Sequence, residues 1–360
     1  MLQDLGSSDL DINRRQALTN TAYSLAGLAL PGPSWWDEAP KRASRRTPAS
    51  KRVIGSADVE AIREMTAFFS RRDQRRGGAD GRPAVVAHLR SSVADALDAT
   101  FPSEHLRRDL FSAAGELAYL SGWMAFDASQ HSTAQAYFTL AVRLAAEADD
   151  PPLAGHILRA MAHQAVDLGH PRQALDLAEA SLHRNRYRLA TPREKALLGV
   201  VHARALAASG QSQDAVAALL RAENDLGSAR AGVEEPGRVF FFSEASLAHE
   251  SACALRDLGD LKGAQQQFKR SVRTRKAETF SRTHAVTLGY LGAVQARQGN
   301  VEAACATWSR ALDAMDGVQS GRARDTVITM RRVLSPFRHR GITAVTGLDT
   351  RVRRILDAVA

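Results

Sequence analysis

The segment Ala134-Gln135-Ala136-Tyr137-Phe138-Thr139-Leu140-Ala141 recurs in altered form four more times, beginning at Ala174, Ala215, Ala264 and Ala304. Each copy has an alanine first, a second apolar residue four positions later, and Ala or Ser three positions after that. This i, i+4, i+7 spacing brings the three residues to one face of a helix. The second position holds Phe138, Ala178, Leu219, Phe268 or Trp308, and the third holds Ala141, Ser181, Ala222, Ser271 or Ala311.

The residues upstream of each copy predict a second helix and its end. Five positions before each alanine lies a residue suited to a left-handed helix end, namely Ser129, Gly169, Gly210, Gly259 or Gly299. The helix before it carries a small residue for close contact: Gly122, Ala162, Ala203, Ala252 or Gly292. The pattern predicts an all-α, tetratricopeptide-like helical-repeat solenoid, a superhelix of antiparallel helix pairs. The copies are spaced by 40, 41, 49 and 40 residues, against about 34 in the standard repeat, and residues 232–237 are the predicted insertion loop.

The chain divides into four predicted regions. Residues 1–57 form an N-terminal helix and a basic flexible linker, 58–112 a helical lead-in, 113–321 the five repeats, and 322–360 Arg-rich capping helices. In the first region, Asp11 or Asn13 is expected to cap a helix from about residue 14 to 30. Residues 41–52 carry six positive charges and no acid, which favours a flexible segment over a nucleic-acid arm.

The lead-in and the tail each show helical stripes. Ser56 is the predicted cap of a helix that runs from residue 58. Residues 77–83 are predicted to form a turn. Two more helices are predicted, one over residues 84–99 and one that begins at Ser103. The first helix has the apolar stripe Val59, Ile62, Met65, Phe68 and Phe69, and the tail has Val327, Met330 and Leu334. The solvated side of the cap is predicted to carry Arg322, Arg324, Arg331, Arg332, Arg351, Arg353 and Arg354.

The net charge of +9 is unevenly distributed over the 360 residues. Residues 56–321 hold 31 basic and 31 acidic side chains, so the excess belongs to the two ends and argues against a nucleic-acid groove in the centre. Two cysteines, Cys253 and Cys305, exclude a disulfide scaffold and a multi-thiolate zinc site, and we expect both to be small buried residues in a cytoplasmic protein. No apolar run approaches the ~20 residues that span a bilayer, so no membrane partner is expected.

The candidate ligand or partner groove is the concave face formed by the first helix of each pair. Its Arg and His side chains suit carboxylate or phosphate, and its Tyr and Trp side chains suit stacking. A hydrated face with internal ion pairs is the alternative interpretation. The predicted groove residues are Glu116, Tyr119, Trp123, Asp127, His156, Arg159, His163, Arg204, His249, Arg256, Asp257 and Arg297, with Asp167 on the same face.

Motifs of catalysis are absent from the sequence. It has no Gly-x-Ser-x-Gly, no phosphate loop, no His-Glu-x-x-His and no Gly-x-Gly-x-x-Gly. His156 and His163 are two helical turns apart, about 10.5 Å of rise, too far to share one metal ion. We therefore expect no enzymatic activity, no cofactor and no metal.

The segment from Leu117 to Asp127, with Trp123 at its centre, and the following Ala134-Gln135-Ala136-Tyr137-Phe138 resemble a known family. They resemble the first repeat in the tetratricopeptide-like C-terminal regions of Cro/repressor-class helix-turn-helix transcriptional regulators of high-GC bacteria. The segments 72–78 and 11–15 are similar to that group too, so the resemblance covers roughly residues 10–360.

The resemblance implies a non-enzymatic regulatory protein, the sensing or protein-interaction part of a bacterial transcription regulator. A peptide, small ligand or partner protein would bind in the concave groove, and a homodimer is compatible with this role. Family members usually carry a helix-turn-helix before the Arg14-Arg15 position, and residues 1–57 contain none, so DNA contact is expected only indirectly or through the basic ends. The alternatives are a stand-alone scaffold or adaptor without a DNA link, or a binding protein exported through the twin-arginine pathway by the Arg14-Arg15 segment.

Overall fold

A computed structural model describes residues 2–10, 23–28, 31–45, 48, 50–230, 232, 234–338, 340 and 342–357. Within these residues the fold is all-α, apart from a single parallel β-bridge between Val53 and Thr100. The helices are α1 Leu2–Leu10, α2 Pro33–Ser44, α3 Ser56–Arg76, α4 Gly78–His88, α5 Glu104–Asp127, α6 His131–Glu147, α7 Pro151–Asp167, α8 Pro171–Leu182, α9 Pro192–Ala208, α10 Ser212–Gly227, α11 Glu244–Asp257, α12 Leu261–Thr274, α13 Ser281–Arg297, α14 Val301–Ala314, α15 Gly321–Leu334 and α16 Thr343–Asp357. A π-helical turn, Leu89–Val93, and a short helix, Ala94–Leu97, extend α4.

From α5 onward the helices pack as successive pairs. The pairs are α5 with α6, α7 with α8, α9 with α10, α11 with α12, α13 with α14, and α15 with α16. The first helices also contact one another, α5 with α7, α7 with α9, α9 with α11, and α13 with α15. The side chains of the first helices therefore share one inner face.

Close packing within the pairs follows the predicted pattern. A Cβ on Gly122 would lie 2.7 Å from Cδ1 of Phe138, so only glycine allows this ring to approach. Gly292 faces Trp308 in the same way, and the indole Nε1 of Trp308 donates to the carbonyl of Gly289 at 2.9 Å. The predicted left-handed residues have positive φ: 60° at Ser129, 77° at Gly169, 76° at Gly210, 87° at Gly259 and 84° at Gly299. These local predictions are confirmed.

Some of the predicted helix starts are confirmed, and others are wrong. The sequence Thr191-Pro192-Arg193-Glu194 predicts a capping box, which is present at the start of α9, and the predicted helix start at Ser103 is also confirmed. The cap of α3 is Gly55, not Ser56, because the Asp58 carboxylate accepts the Gly55 N–H at 2.8 Å. The predicted stripe of α3 is wrong at Phe68, whose residue surface is 53% exposed.

The predicted turn at residues 77–83 is also wrong in extent. Helix α4 already begins at Gly78, because the carboxylate of Asp127 accepts the Gly78 N–H at 2.8 Å. That bond satisfies a first-turn donor that would otherwise lack a partner. Pro83 then lies inside the helix, and the chain turns only at Gly77, where φ is +92°.

The N-terminal region packs on the repeat pairs. The predicted helix over residues 14–30 and the Arg14-Arg15 segment lie largely outside the described residues, although Leu28 is buried and Tyr23 stacks on His170. Where a linker was expected, Pro33–Ser44 forms α2. In α1, Asp9 accepts two hydrogen bonds from Arg82 at 2.7 and 2.9 Å, and this ion pair is buried.

The C-terminal pair closes onto the first pair. A Cβ on Gly77 would lie 2.3 Å from the carbonyl oxygen of Gln319, and the amide of Ala79 donates to that same oxygen. The helix α3 also packs on both α5 and α13. The inner face is therefore covered by α3 and by the start of α15, and is not an open surface.

The tail confirms one prediction and corrects another. Val327, Met330 and Leu334 are buried as the stripe predicted. Arg322 does not lie on a solvated side: its side chain is 13% exposed and pairs with Asp167 at 3.4 Å. The reason is the closure, because Ser320 caps α15 while bonded to Asp127, which turns the first residues of α15 inward.

Replacing Gly292 with alanine should lower the free energy of unfolding by about 1–3 kcal/mol, because the new methyl group overlaps the buried Trp308 indole. The matched control is Gly347→Ala in α16, where a Cβ meets nothing within 4 Å. There the higher helix propensity of alanine should raise stability by about 0.5–1 kcal/mol. Urea denaturation of both variants measures the two shifts, and a shift of the same sign in both would contradict the packing.

Candidate functional site

The interior is centred on Arg282, at the start of α13. Its Nη2 lies 3.0 Å from an oxygen of Asp73 in α3, and its Nη1 lies 2.9 Å from an oxygen of Asp127 at the end of α5. All three side chains are at most 2% exposed. Burial raises the pKa of Asp73 to about 6, although Arg282 opposes that shift. One guanidinium thus joins three helices that are distant in sequence.

A second buried cluster lies beside it. Arg204 in α9 bonds Asp167 through Nη2 and Glu250 through Nη1, both at 2.9 Å. Arg322 adds a second cation next to Asp167. Burial alone would raise the pKa of Glu250, but Arg204 lowers it to about 2. Burial also lowers the pKa of His163, so this ring is neutral at pH 7 between the charged groups.

The direct contacts of His249 in α11 include the neutral side chains of Thr287, Tyr290 and Cys253. Its Nδ1 is 2.9 Å from the hydroxyl of Thr287, and its ring stacks on Tyr290 with a centroid distance of 5.6 Å. Burial lowers the pKa of His249 to about 3. Burial raises the pKa of the adjacent Cys253 thiol to about 12, and both cysteines are buried, as predicted.

Around Trp123 the aromatic and cationic residues of two first helices meet. The Nη2 of Arg159 donates to the hydroxyl of Tyr119 at 3.1 Å and lies 3.0 Å from Nε2 of His156. The guanidinium carbon of Arg159 is 5.6 Å from the Trp123 ring centroid. Arg159 is 1% exposed, so this cation is enclosed by rings.

A cleft of about 750 Å³, which we call the outer cleft, opens next to these rings. It lies between α3, α5 and the insertion between α10 and α11, where Arg238 bonds Glu116 and Glu194 and so holds the insertion over the helices. Its apolar lining includes Tyr119, Trp123, Phe240 and Phe241. The charged lining comprises Asp73, Asp109, Glu116, Asp149, Asp150 and Glu234 against Arg63, Arg108 and Arg238.

A smaller cavity of about 50 Å³, the inner chamber, lies deeper in the same region. Gln74, Trp123 and Phe241 line both spaces and therefore form the boundary between them. The charged and titratable lining of the chamber comprises Arg159, Arg275, Arg282, Arg322, Glu250, His163 and His249. The chamber has room for only a few water-sized groups, since one water needs roughly 10–15 Å³.

The structure divides the predicted groove residues among three environments. The linings of the two spaces include Glu116, Tyr119, Trp123, Arg159, His163 and His249. Asp127, His156 and Arg204 are buried behind them in ion pairs or hydrogen bonds. Arg256 and Asp257 pair with each other, and Arg297 is exposed outside both linings.

Sequence reasoning missed several residues of this region. Asp73, Gln74 and Arg282 come from the lead-in and from the first turn of α13, and their grouping depends on the closure. Arg275 follows α12, outside the first helices from which the groove was assembled. The run Phe240-Phe241-Phe242, directly after the predicted insertion loop, was a usable signal, because three adjacent aromatic residues in a loop need cover.

Replacing Arg282 with glutamine should lower the free energy of unfolding by about 3–5 kcal/mol, because two buried carboxylates lose their cation. The matched control is Arg351→Gln, which removes an exposed ion pair with Asp313 and should cost less than about 1 kcal/mol. Chemical denaturation at pH 7 measures both values. Equal losses in the two variants would show that Arg282 does not hold the interior together.

His249 should make stability depend on pH between about 6.5 and 3. Its pKa is lower in the folded state, so the unfolded chain binds the extra proton and stability is lost as the pH falls below 6.5. Between pH 7 and pH 5 the resulting loss in the free energy of unfolding is about 2 kcal/mol. The charged groups that act on the pKa of His249 are Glu250, Arg275, Arg322 and Arg204. His249→Gln should lose that much less stability over this range than the wild type in denaturation experiments. His105→Gln, at a side chain 87% exposed, should match the wild type.

Among the helices of the described residues, none is long and apolar enough to cross a bilayer. The same residues contain no group of three or more His, Cys, Asp or Glu side chains arranged to hold a metal ion. No protein-family model matches the chain, and no curated protein matches it at a significant level.

Proposed function

We propose that this chain is a tetratricopeptide-like helical-repeat protein whose outer cleft binds a peptide or small ligand in a regulatory, non-enzymatic role. The repeat assignment is supported by five sequence copies, by the left-handed residue at the same place in each, and by glycine facing an aromatic ring in two pairs. Successive pairs pack against one another in chain order, which is the packing expected of a solenoid.

The observation that carries the binding function is the outer cleft itself. Its volume of about 750 Å³ is in the range of small-ligand sites, and its floor is aromatic where Tyr119 and Trp123 lie. The insertion that carries Arg238 and Phe241 forms one wall. Two ion pairs of Arg238, with Glu116 and Glu194, hold this wall against the helices.

The cleft also provides a route from ligand to fold. Asp73 and Gln74 line the outer cleft, while their polar atoms bond Arg282 and Thr283 at the start of α13. A ligand that contacts these two residues changes the relative free energy of the closed arrangement. The response is then a shift between closed and open populations of the array.

The regulatory context rests on the resemblance around Trp123 to the C-terminal regions of bacterial transcription regulators. In that role the ligand state would be passed to a protein partner, and DNA would be reached through that partner or through the basic ends. A plain scaffold without ligand response is the competing function, and the experiment below separates the two.

Trp123→Ala should weaken ligand binding at least tenfold, because it removes the ring shared by the outer cleft and the inner chamber. The ligands are first identified by a thermal-shift screen of short peptides and metabolites against the wild-type chain. Their affinities are then compared by isothermal titration calorimetry in wild type and variant.

The matched control is Leu220→Ala, at an exposed residue of α10 outside the cleft, which should leave affinity unchanged. Trp123→Phe, which keeps an aromatic ring, should fold and should retain part of the affinity. Screening hits that bind Trp123→Ala as tightly as wild type would contradict the cleft model. A screen without hits would favour the scaffold.

A further inference from the structure

Arg159 is a buried cation without a carboxylate partner. It is 1% exposed, yet no ion pair among the described residues includes it. Its hydrogen bonds go from Nη2 to Tyr119 and His156, both uncharged at neutral pH. Burial and the charge of Arg159 lower the pKa of His156 well below its ordinary value. The His156 ring is therefore neutral, and it accepts the hydrogen bond from Arg159 without supplying a counter-charge. The Nε of Arg159 has no partner in the described structure.

Arg275 repeats this arrangement on another wall of the inner chamber. It is 7% exposed, and its Nη2 donates to the Ala245 carbonyl at 2.9 Å and to the Ser271 hydroxyl at 3.1 Å. Its Nε also lacks a partner within the described residues. Burial lowers its pKa to about 10, so it remains a cation at pH 7. Both acceptors are neutral, and no ion pair among the described residues includes Arg275, so only the more distant charge of Glu250 partly offsets its own.

The other charged groups of the inner chamber have ion-pair partners. Arg282 pairs with Asp73 and Asp127, Arg322 pairs with Asp167, and Glu250 pairs with Arg204. Arg159 and Arg275 are therefore the two arginines of the chamber that have no ion pair. A buried charge is strongly unfavourable unless a counter-charge meets it, and rings around a guanidinium offset only part of that cost.

The outer cleft has the opposite sign. Apart from Asp73, which pairs with Arg282 of the chamber, it is lined by five carboxylates and three guanidiniums, whereas the inner chamber is lined by four guanidiniums and one carboxylate. The two spaces meet at Trp123, Gln74 and Phe241. A ligand complementary to both has a negative group at its inner end and a neutral or cationic body on the aromatic floor.

We propose that the inner chamber binds a single oxyanion group, a carboxylate or a phosphate, between Arg159 and Arg275, and that this group anchors the ligand of the outer cleft. Guanidinium forks suit such groups because their N–H donors match two oxygens at once. The chamber volume of about 50 Å³ admits the charged group alone. The body of the ligand must then lie in the outer cleft.

This inference rests on the proposed ligand-binding function, but different results would contradict the two. A ligand that binds through Trp123 and carries no anionic group would overturn the oxyanion site and leave the cleft function intact. Conversely, anion binding that requires Arg159 can be measured with simple salts before any natural ligand is known.

The test is thermal unfolding of the full chain in sodium phosphate, sodium acetate and sodium chloride at equal ionic strength. At saturating concentration, phosphate or acetate should raise the Tm by about 2 °C more than chloride does. A response to acetate alone identifies a carboxylate group, and a response to phosphate alone identifies a phosphoryl group. No oxyanion effect beyond that of chloride would overturn the proposal.

Two variants locate the effect. Arg159→Met and Arg275→Met should each abolish the oxyanion-specific rise. Without anion, their Tm should equal or exceed that of the wild type, because an unpaired buried charge is gone. Arg159→Lys keeps the charge without the fork and should retain a smaller rise.

The matched control is Arg270→Met, an exposed arginine of α12 that pairs with Glu244 and lies outside the linings of both spaces, which should keep the full rise. Persistence of the rise in both Arg159→Met and Arg275→Met would overturn the site. A large drop in the anion-free Tm of both variants would do the same, because it would show that the two cations serve packing alone.

Discussion

The closed form of this protein depends on one guanidinium. Arg282 bonds Asp73 and Asp127, which lie 209 and 155 residues away in the chain. Because all three groups are buried, breaking their contact while the interior stays closed would leave charges without water and without partners, which is far costlier than breaking a surface ion pair. The contact is therefore either complete or absent. Around it, Ser320 bonds the same Asp127, and the start of α15 covers the inner face.

The parts of the fold that were predictable are those whose physical cause is local. A positive φ at Gly169 or Gly299, and a capping box at Thr191, depend on a few neighbouring residues. The glycine opposite Trp308 depends on one helix pair. Closure is of another kind, because it joins residues that lie 155 and 209 positions apart in the chain. No short pattern encodes such contacts, so the inward turn of Arg322 was not predictable from its helix alone.

The same reasoning explains the uneven outcome at the candidate site. Tyr119, Trp123 and Arg159 were predictable because they lie on the repeated face of the first helices. The sequence pattern predicts that this face is solvated, whereas closure and the insertion bury most of it. Burial changes the chemistry of the residues themselves: histidines that would titrate near neutrality in water stay neutral, and arginines keep their charge. The mixed surface expected from the sequence is thus divided between an outer cleft lined mainly by carboxylates and an inner chamber lined mainly by guanidiniums.

The overall charge of +9 bears little on this pocket. The excess lies near the two ends, where salt screens it within about 10 Å. Charges enclosed by Tyr119, Trp123 and Phe241 are not screened in this way, because ions and water are largely excluded from between them. Two buried guanidiniums without an ion pair would therefore act on a bound group more strongly than the whole surface excess acts on a distant partner. In the proposed complex, selection of a ligand by charge is decided at Arg159 and Arg275, and the basic ends influence only the rate of encounter.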